Sequence, residues 1–326
     1  MVKRGKKMLA GTGTLNYLSY FENDLFEIKK IIKLSLKNRD THTENLLDNL
    51  SATDGKMIRA IFILIGGSFG EIDKNKLFNI SAGIELLHLA TLVHDDVIDD
   101  SNLRRGKKTI NSLYGTKAAL FMGDYLFAQA YVLFSEYASR NSLSDISKTI
   151  KFICQSEINQ FLSTHSLNSN IRDYFRRING KCASLFSLSL SLGAYDGHAN
   201  AEIVSDLKKI GYCIGMAFQL IDDILDIVSP KTILGKPSGN DINEGIYTFP
   251  VLYEIKNNNQ ELITALTQKD LGYASEILRT SVGLTKAKEV AEKFTYKALN
   301  LIDKLPDSQE KLILKNITEK LLKRSF

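Results

Sequence analysis

Several features are scarce in this chain of 326 residues, and each scarcity excludes a class of protein. The three cysteines lie far apart without a CxxC pair, which argues against a disulfide framework or a structural zinc site and fits a reducing cytoplasm. No uncharged apolar run approaches the ~18–20 residues of a membrane span, and the start of the chain lacks the ~7–15-residue apolar core of a secretory signal. The net charge of +5 permits an anionic ligand without implying nucleic acid. The composition therefore predicts a globular cytoplasmic protein that does not bind nucleic acid.

Proline is also scarce, and its placement indicates the fold class. All four prolines lie beyond residue 229, so the long segment before them lacks the residue that breaks helices. Apolar residues recur at intervals of three and four, whereas alternating strand-like runs with Asn-Gly turns are largely missing. The pattern predicts one all-α domain over residues 1–326, with 1–19 as a basic tail whose weak attraction to an anionic membrane surface is the minority interpretation. Helices are predicted at 20–37, 56–69, 76–101, 116–138, 143–166, 170–195, 200–228, 242–257, 284–304 and 308–323.

The sequence HDDVIDDSNLRRG, from His94 to Gly106, concentrates acidic and basic side chains. On a helix, the carboxylates of Asp95, Asp96 and Asp99 share a face, with Cβ atoms ~5–6 Å apart. Like charges this close destabilise a helix unless a cation compensates them, and oxygen ligands suit Mg²⁺. The basic residues that follow suit a diphosphate bridged to the metal. Taken alone, a solvated acidic helix end explains this segment almost as well.

A second acidic cluster has the same spacing. Asp222, Asp223 and Asp226 stand on another stretch of helical pattern, where neighbours such as Ile221 indicate burial. Three buried carboxylates without a cation would carry a large desolvation cost. The two clusters therefore predict facing walls of one cavity with metal ions between them. The segment 235–245, GKPSGNDINEG, follows as a loop with both signs of charge.

The two motifs, DDVID followed by RRG and DDILD followed by GKPSGNDINEG, resemble those of the trans-prenyl diphosphate synthase family. The likeness runs from about Gly55 to Pro250. It implies an isoprenoid synthase fold, in which a bundle of helices surrounds a central cavity. It also implies condensation of an allylic prenyl diphosphate with isopentenyl diphosphate, assisted by three Mg²⁺ ions.

The resemblance further implies a role for individual residues. Metal ligation, directly or through water, is implied for Asp95, Asp96, Asp99, Gln160, Asp222, Asp223 and Asp226. Contacts to the allylic diphosphate are implied for Arg104, Lys181 and Lys236, and contacts to isopentenyl diphosphate for Lys56, Arg59, His88 and Arg105. Cys182 and Gln219 are further implied substrate-binding residues, and Phe218 completes a Phe-Gln pair with Gln219. The residues implied to carry catalysis are Asp95, Asp99, Lys181 and Asp222.

Three departures from the family pattern concern diphosphate binding. The segment GKMIRA, 55–60, has Met57 where the family commonly has an arginine. Cys182 replaces a threonine and loses its hydroxyl, and Ile246 replaces a frequent lysine. These departures imply a changed substrate affinity more than a changed reaction.

Product length is implied by the residues four and five positions before the first motif. In the family, aromatic residues there are typical of short-chain, farnesyl-type enzymes, whereas this chain has Thr91 and Ala90. Small residues predict that the tail passes deeper, towards Phe127, Tyr131 and Phe134 as candidates for the floor. The expected product is a C30–C40 polyprenyl diphosphate of the kind used for quinone side chains, with a geranylgeranyl or farnesyl product as the alternative.

Three other interpretations remain open at this point. A class I terpene cyclase would share the fold but would not need a second diphosphate site such as Arg59 and His88 imply. An HD-type phosphohydrolase is suggested by His94-Asp95, but it would need further histidine ligands and would leave the second cluster unexplained. A non-catalytic subunit could lose its aspartates, which this chain retains. The resemblance also implies a dimer, either of two identical chains or with a second synthase subunit.

Overall fold

The structure is a computed structural model that describes residues 17–37, 55–71, 73–104, 106–228 and 239–322, which leaves out most of the predicted basic tail. The helices are α1 (Tyr17–Tyr20), α2 (Glu22–Leu36), α3 (Ile58–Gly67), α4 (Lys74–Ile98), α5 (Ile110–Tyr114), α6 (Thr116–Tyr137), α7 (Arg140–Leu162), α8 (Ile171–Ile178), α9 (Ser184–Asp196), α10 (Ala201–Val228), α11 (Asn240–Asn243), α12 (Phe249–Lys256), α13 (Gln260–Thr267), α14 (Leu271–Arg279), α15 (Val282–Asp303) and α16 (Gln309–Leu322). The segment Asn179–Ala183 between α8 and α9 is a turn of π-helix. Two short strands, β1 (Leu103–Arg104) and β2 (Lys107–Lys108), pair antiparallel. The prediction of an all-α fold is confirmed.

Side-chain caps explain where the helices around the acidic clusters begin. The side chains of Asp73, Ser139 and Asn170 accept backbone N–H groups in the first turns of α4, α7 and α8. Each of these residue types satisfies donors that the first turn of a helix leaves without a partner. The predicted starts of these helices therefore lie within a few residues of the observed ones.

The predicted elements differ from the structure in several regions. The single helix predicted at 170–195 contains the π-turn, and the one predicted at 242–257 is divided by a turn in which Gly245 has a φ of 73°. Helices α13 and α14 were not predicted. Each is shorter than three turns, too short for apolar spacing to show, and each begins at a side-chain cap, Asn259 or Asp270.

Helix α9 lies at the centre of the bundle. Of its 13 residues, 11 are buried, so it is enclosed on nearly every side. Its serines fit this environment because their hydroxyls donate to backbone carbonyls, as Ser189 does to Leu185 in the same helix and Ser187 does to Lys208 on α10, each at 2.7 Å. Helices α3 and α10 pack against it, and α10 carries the second aspartate cluster.

Helices α4 and α6 pack antiparallel along their length. Phe134 on α6 contacts Gly83 on α4, and His94 contacts Gly123. Within the described residues these two helices are long and apolar enough to cross a membrane by length and composition alone. The most apolar window of α4 is 61% buried in the bundle, and that of α6 is 39% buried. The apolar character of α4 therefore reflects the core, and this packing fixes the end of the helix where the first cluster stands.

Candidate active site

The first aspartate cluster lies in the last turns of α4. Asp95 is half-buried, whereas Asp99 ends the helix and is exposed. Burial raises the pKa of the Asp95 carboxyl to about 6. The carboxylates of Glu157 and Asp99 add to this increase, while Lys181 and Arg104 oppose it. A cation beside Asp95 would favour its ionised form, which is the environment expected of a metal ligand.

Asp96 has different surroundings from its neighbours. It is buried, and its Oδ1 accepts a hydrogen bond of 2.7 Å from Nε of Arg104. This ion pair ties the end of α4 to β1. The structure therefore places Arg104, which the resemblance assigns to the allylic diphosphate, against the first cluster itself.

The second cluster stands near the end of α10. The carboxylate of Asp223 accepts from the Tyr174 hydroxyl at 2.6 Å and from the Gln219 amide at 2.9 Å. The carboxylate of Asp226 accepts from the backbone N–H groups of Asn240 and Asp241, each at 3.2 Å. Asp222 in the same cluster is half-buried. Two of the three aspartates thus hold neighbouring elements in place.

Lys181 lies between the two clusters, on the π-turn. Its Nζ is 3.9 Å from Oε1 of Glu157 on α7. Burial alone would lower the pKa of this lysine, but Glu157, followed by Asp95, Asp99 and Asp241, raises it. Single π-turns inside helices are frequent at functional sites. The lysine is thereby kept charged among carboxylates that come from three helices.

Arg59 lies on α3, close enough to the π-turn to act electrostatically on Cys182. Its guanidinium carbon is 5.0 Å from the centre of the Phe186 ring, which in turn packs edge-on against Phe218 at 5.7 Å. Burial raises the pKa of the Cys182 thiol to about 12, with Arg59 opposing the shift. Cys182 is therefore a neutral thiol with no nucleophilic role.

The other residues that the resemblance assigns to the site lie in different parts of the structure. His88 is half-buried on α4, two turns before Asp95, and Lys56 is exposed beside a groove of about 550 Å³ against α1 and α2. Gln160 lines a separate polar cavity of about 300 Å³, together with Tyr174 and Arg177. Arg105 and Lys236 lie outside the described residues.

Sequence reasoning gave no specific role to three acidic or hydroxyl groups of the site, although it placed Asp241 in the charged loop after the second motif. Glu157 lies one helical turn before Gln160, Tyr174 lies seven residues before Lys181, and Asp241 follows the second motif. Burial raises the pKa of Asp241 well above its usual range, and Asp223 adds to the shift. The helical spacing of Glu157 from Gln160 was a signal that could have found the first of them.

The donor set fits Mg²⁺ bound together with a diphosphate. Within the part of the chain that the structure describes, no three His, Cys, Asp or Glu side chains converge to hold a metal ion by themselves. Mg²⁺ is usually bound by one or two carboxylates, with substrate phosphates and water completing its coordination. Asp95 and Asp99, four residues apart at a helix end, supply such a partial set.

The raised pKa of Asp95 has a consequence for the stability of the metal-free protein. Because the folded pKa lies above that of the unfolded chain, protonation favours the folded state, and this contribution is lost as pH rises from about 4 to about 6. Relative to Asp95→Asn, the free energy of unfolding of the wild type is expected to fall by on the order of 2 kcal/mol across this window. Urea unfolding in EDTA at pH 4.5 and 7.5 measures it.

The matched control is Asp145→Asn, on the exposed side of α7. It should follow the wild type at both pH values. A difference between the wild type and Asp95→Asn that does not change with pH would contradict the burial of this carboxyl.

Comparison with known proteins places this chain among prenyl synthases. The family model for polyprenyl synthetase matches residues 40–279. Heptaprenyl diphosphate synthase component 2 of Bacillus subtilis (strain 168) is 34% identical over 313 residues, which cover 94% of this chain and 90% of that protein. The crystal structure of heptaprenyl diphosphate synthase from Staphylococcus aureus matches with a TM-score of 0.89 at 33% identity, covering 96% of this chain and all of that one. A polyprenyl synthase from Caulobacter crescentus CB15, complexed with calcium and isoprenyl diphosphate, matches with a TM-score of 0.88 at 27% identity, covering 96% of this chain and 98% of that one.

The fold, the family match and the heptaprenyl diphosphate synthase relatives show a prenyltransferase that elongates prenyl chains. The chain belongs to the polyprenyl synthetase family, and its relatives include heptaprenyl and solanesyl diphosphate synthases. Proteins of this family are in general soluble and Mg²⁺-dependent, and their substrates are prenyl diphosphates.

Proposed function

We propose that this chain condenses an allylic prenyl diphosphate with isopentenyl diphosphate, head to tail, to an all-trans C30–C40 polyprenyl diphosphate, a quinone side-chain precursor. The observation that carries the proposal is the position of Lys181. Its electrostatic partners include Asp95 and Asp99 of the first cluster, and it also interacts with Asp223 of the second cluster. A cation between two acidic walls suits an anionic diphosphate bound with metal ions. The names of the heptaprenyl relatives support the product length.

Three Mg²⁺ ions fit the two clusters. We assign two of them to Asp95 and Asp99 and the third to Asp222, with oxygens of the diphosphate and water completing each set. When bound, Mg²⁺ draws negative charge onto the departing diphosphate, so that the allylic C–O bond ionises more easily.

The side chains of this protein bind the substrates and exclude competing nucleophiles. Lys181 holds the allylic diphosphate, and Arg59 holds the diphosphate of isopentenyl diphosphate. The allylic C–O bond breaks with its electron pair on the diphosphate, the double bond of isopentenyl diphosphate forms the new C–C bond, and a proton leaves. The neutral thiol of Cys182 and the aromatic rings of Phe186 and Phe218 keep the neighbourhood of the cation apolar.

A second, different subunit completes the enzyme in this proposal. The B. subtilis and Geobacillus stearothermophilus relatives are each named component 2 of a heptaprenyl diphosphate synthase. On α7, the side chains of Ile158, Phe161 and Leu162 fall on one face and are 59%, 76% and 74% exposed. Such an exposed apolar face favours coverage by another protein. A dimer of identical chains is the other way to cover it.

One assay tests both the reaction and the partner. The purified chain is given Mg²⁺, an allylic prenyl diphosphate and radiolabelled isopentenyl diphosphate, first alone and then mixed with the other component of the B. subtilis synthase. Product only after mixing supports the heteromer. Product from the chain alone supports the reaction and contradicts an obligatory partner, and no product in either mixture contradicts the proposed reaction.

The two diphosphate sites can be separated by two substitutions. Arg59→Ala is expected to raise the KM for isopentenyl diphosphate ~10-fold or more with little effect on the allylic substrate, and Lys181→Ala is expected to do the reverse. The reason is that each side chain provides a charged contact to one diphosphate only. Initial rates with one substrate varied at a time give both KM values, with Lys148→Ala on exposed α7 as the control. Equal effects of both variants on both substrates would show that the assignment is wrong.

A further inference from the structure

The Tyr174 hydroxyl is buried against the second aspartate cluster. The side chain is 1% exposed, and its hydroxyl donates to Oδ2 of Asp223 at 2.6 Å. The other carboxylate oxygen, Oδ1, accepts from Nε2 of Gln219 at 2.9 Å. Both oxygens of this buried carboxylate are thus bonded to donors of the protein itself, which satisfies the group without a metal ion.

The ring of Tyr174 is held in place from a second direction. The Arg177 guanidinium carbon lies 5.4 Å from the ring centre, and this arginine donates to the backbone carbonyl of Tyr247 at 2.8 Å. Phe249 packs edge-on against the same ring at 6.1 Å. The hydroxyl consequently has one fixed direction, towards α10.

Lys181 follows Tyr174 by seven residues, which is about two turns of a helix, on the same continuous run through α8 and the π-turn. Between them, Gly180 lies against α7 so closely that a Cβ there would overlap the Ser156 hydroxyl. The run is therefore fixed at Tyr174 by α10 and at Gly180 by α7. These two points determine where the lysine ammonium stands relative to Asp95 and Asp241.

We propose that Tyr174 is a positioning residue for the allylic diphosphate site, and that Asp223 serves as its hydrogen-bond acceptor rather than as a direct metal ligand. The bond from Tyr174 to Asp223 links the helix that presents Lys181 to the helix that carries Asp222. This inference rests on the proposed function for the identity of the ligand. In this inference Asp223, the middle aspartate of the second motif, holds Lys181 and Asp222 in alignment.

The test is Tyr174→Phe, which removes the hydroxyl and keeps the ring. Calorimetric titration with pyrophosphate, in Mg²⁺ and again in EDTA, measures diphosphate binding without turnover. The Mg²⁺-dependent binding is expected to weaken ~10-fold, because Lys181 is no longer held at one position. In the steady state, the KM for the allylic substrate should rise by a similar factor and that for isopentenyl diphosphate should stay within about twofold.

Tyr253→Phe is the matched control, since this half-buried tyrosine stacks on Phe249 in the same cluster, 6.0 Å away. It should bind pyrophosphate like the wild type. Pyrophosphate binding by Tyr174→Phe within twofold of the wild type, or an equal rise of both KM values, would overturn the inference.

A double-mutant cycle separates the role of Asp223 from that of a metal ligand. If Asp223 acts through Tyr174, Asp223→Ala, which removes the acceptor of the tyrosine hydroxyl, should weaken Mg²⁺-pyrophosphate binding about as much as Tyr174→Phe, and the double variant should be no worse than either. Independent, additive losses would instead identify Asp223 as a ligand and refute the proposal. Failure of the proposed function is a separate result, because it shows as a wild-type protein that makes no prenyl product in either mixture of the assay above.

Discussion

Alanine at Asp95 or at Asp222 is expected to lower kcat for prenyl transfer by ~10³-fold or more while the protein still folds. Each substitution removes a carboxylate assigned to a Mg²⁺ ion on the departing diphosphate. Stability should survive, because burial already disfavours the ionised form of Asp95 in the metal-free protein. Radiolabelled product formation and thermal melting followed by circular dichroism measure the two effects.

Asp100→Asn is the control for these variants. Asp100 directly follows the first cluster and is exposed, and its carboxylate is 3.4 Å from the Asn111 amide. Its backbone φ is 46°, a value that asparagine also adopts readily. Its turnover should stay within about twofold of the wild type. Near-normal turnover in Asp95→Ala or Asp222→Ala would refute the model in which both clusters hold metal ions.

Phenylalanine at Thr91 is expected to shorten the product from the proposed C30–C40 to about C15–C20. Thr91 is half-buried and lies one helical turn before Asp95 on the same face of α4. A ring there would stand across the path of the growing tail, and overpacking leaves a longer tail no room. Chromatography of the dephosphorylated products measures chain length, and Thr91→Val, which adds no bulk, should leave it unchanged. Unchanged length in Thr91→Phe would refute the argument from small residues.

The neighbouring position should respond differently. Ala90 is fully buried. Helices α4 and α6 run antiparallel, with Gly83 against Phe134 and His94 against Gly123, and this register places Ala90 opposite Phe127. A ring at this position must displace a neighbour, so Ala90→Phe is expected to shorten the product and also to lose ~1–3 kcal/mol of stability. Of the predicted floor residues, Phe134 is buried in the core and Tyr131 is 36% exposed, which leaves Phe127 as the candidate nearest Ala90.

Local sequence patterns were sufficient for most of the long helices and for the two acidic clusters. Apolar residues three and four apart predict a helix because that spacing forms one face, and the same geometry places Asp95 beside Asp99 without any knowledge of the fold. Caps such as Asp73 mark helix starts for an equally local reason. The resemblance to prenyl synthases depended on these same short motifs, and the comparisons confirm it.

Contacts between distant segments were decided only by the tertiary structure. Tyr174 and Asp223 are 49 residues apart, and the Glu157–Lys181 pair joins α7 to the π-turn. No periodicity links such positions, since their proximity follows from how whole helices cross. The pairing of Arg104 with Asp96 is another contact that the sequence alone did not predict. A guanidinium group binds a diphosphate or a carboxylate, and the sequence does not show which of the two lies beside it. Residue types and helical spacing therefore determined the chemistry available to this protein, and the packing of α7, α8 and α10 around the π-turn decided which side chains meet.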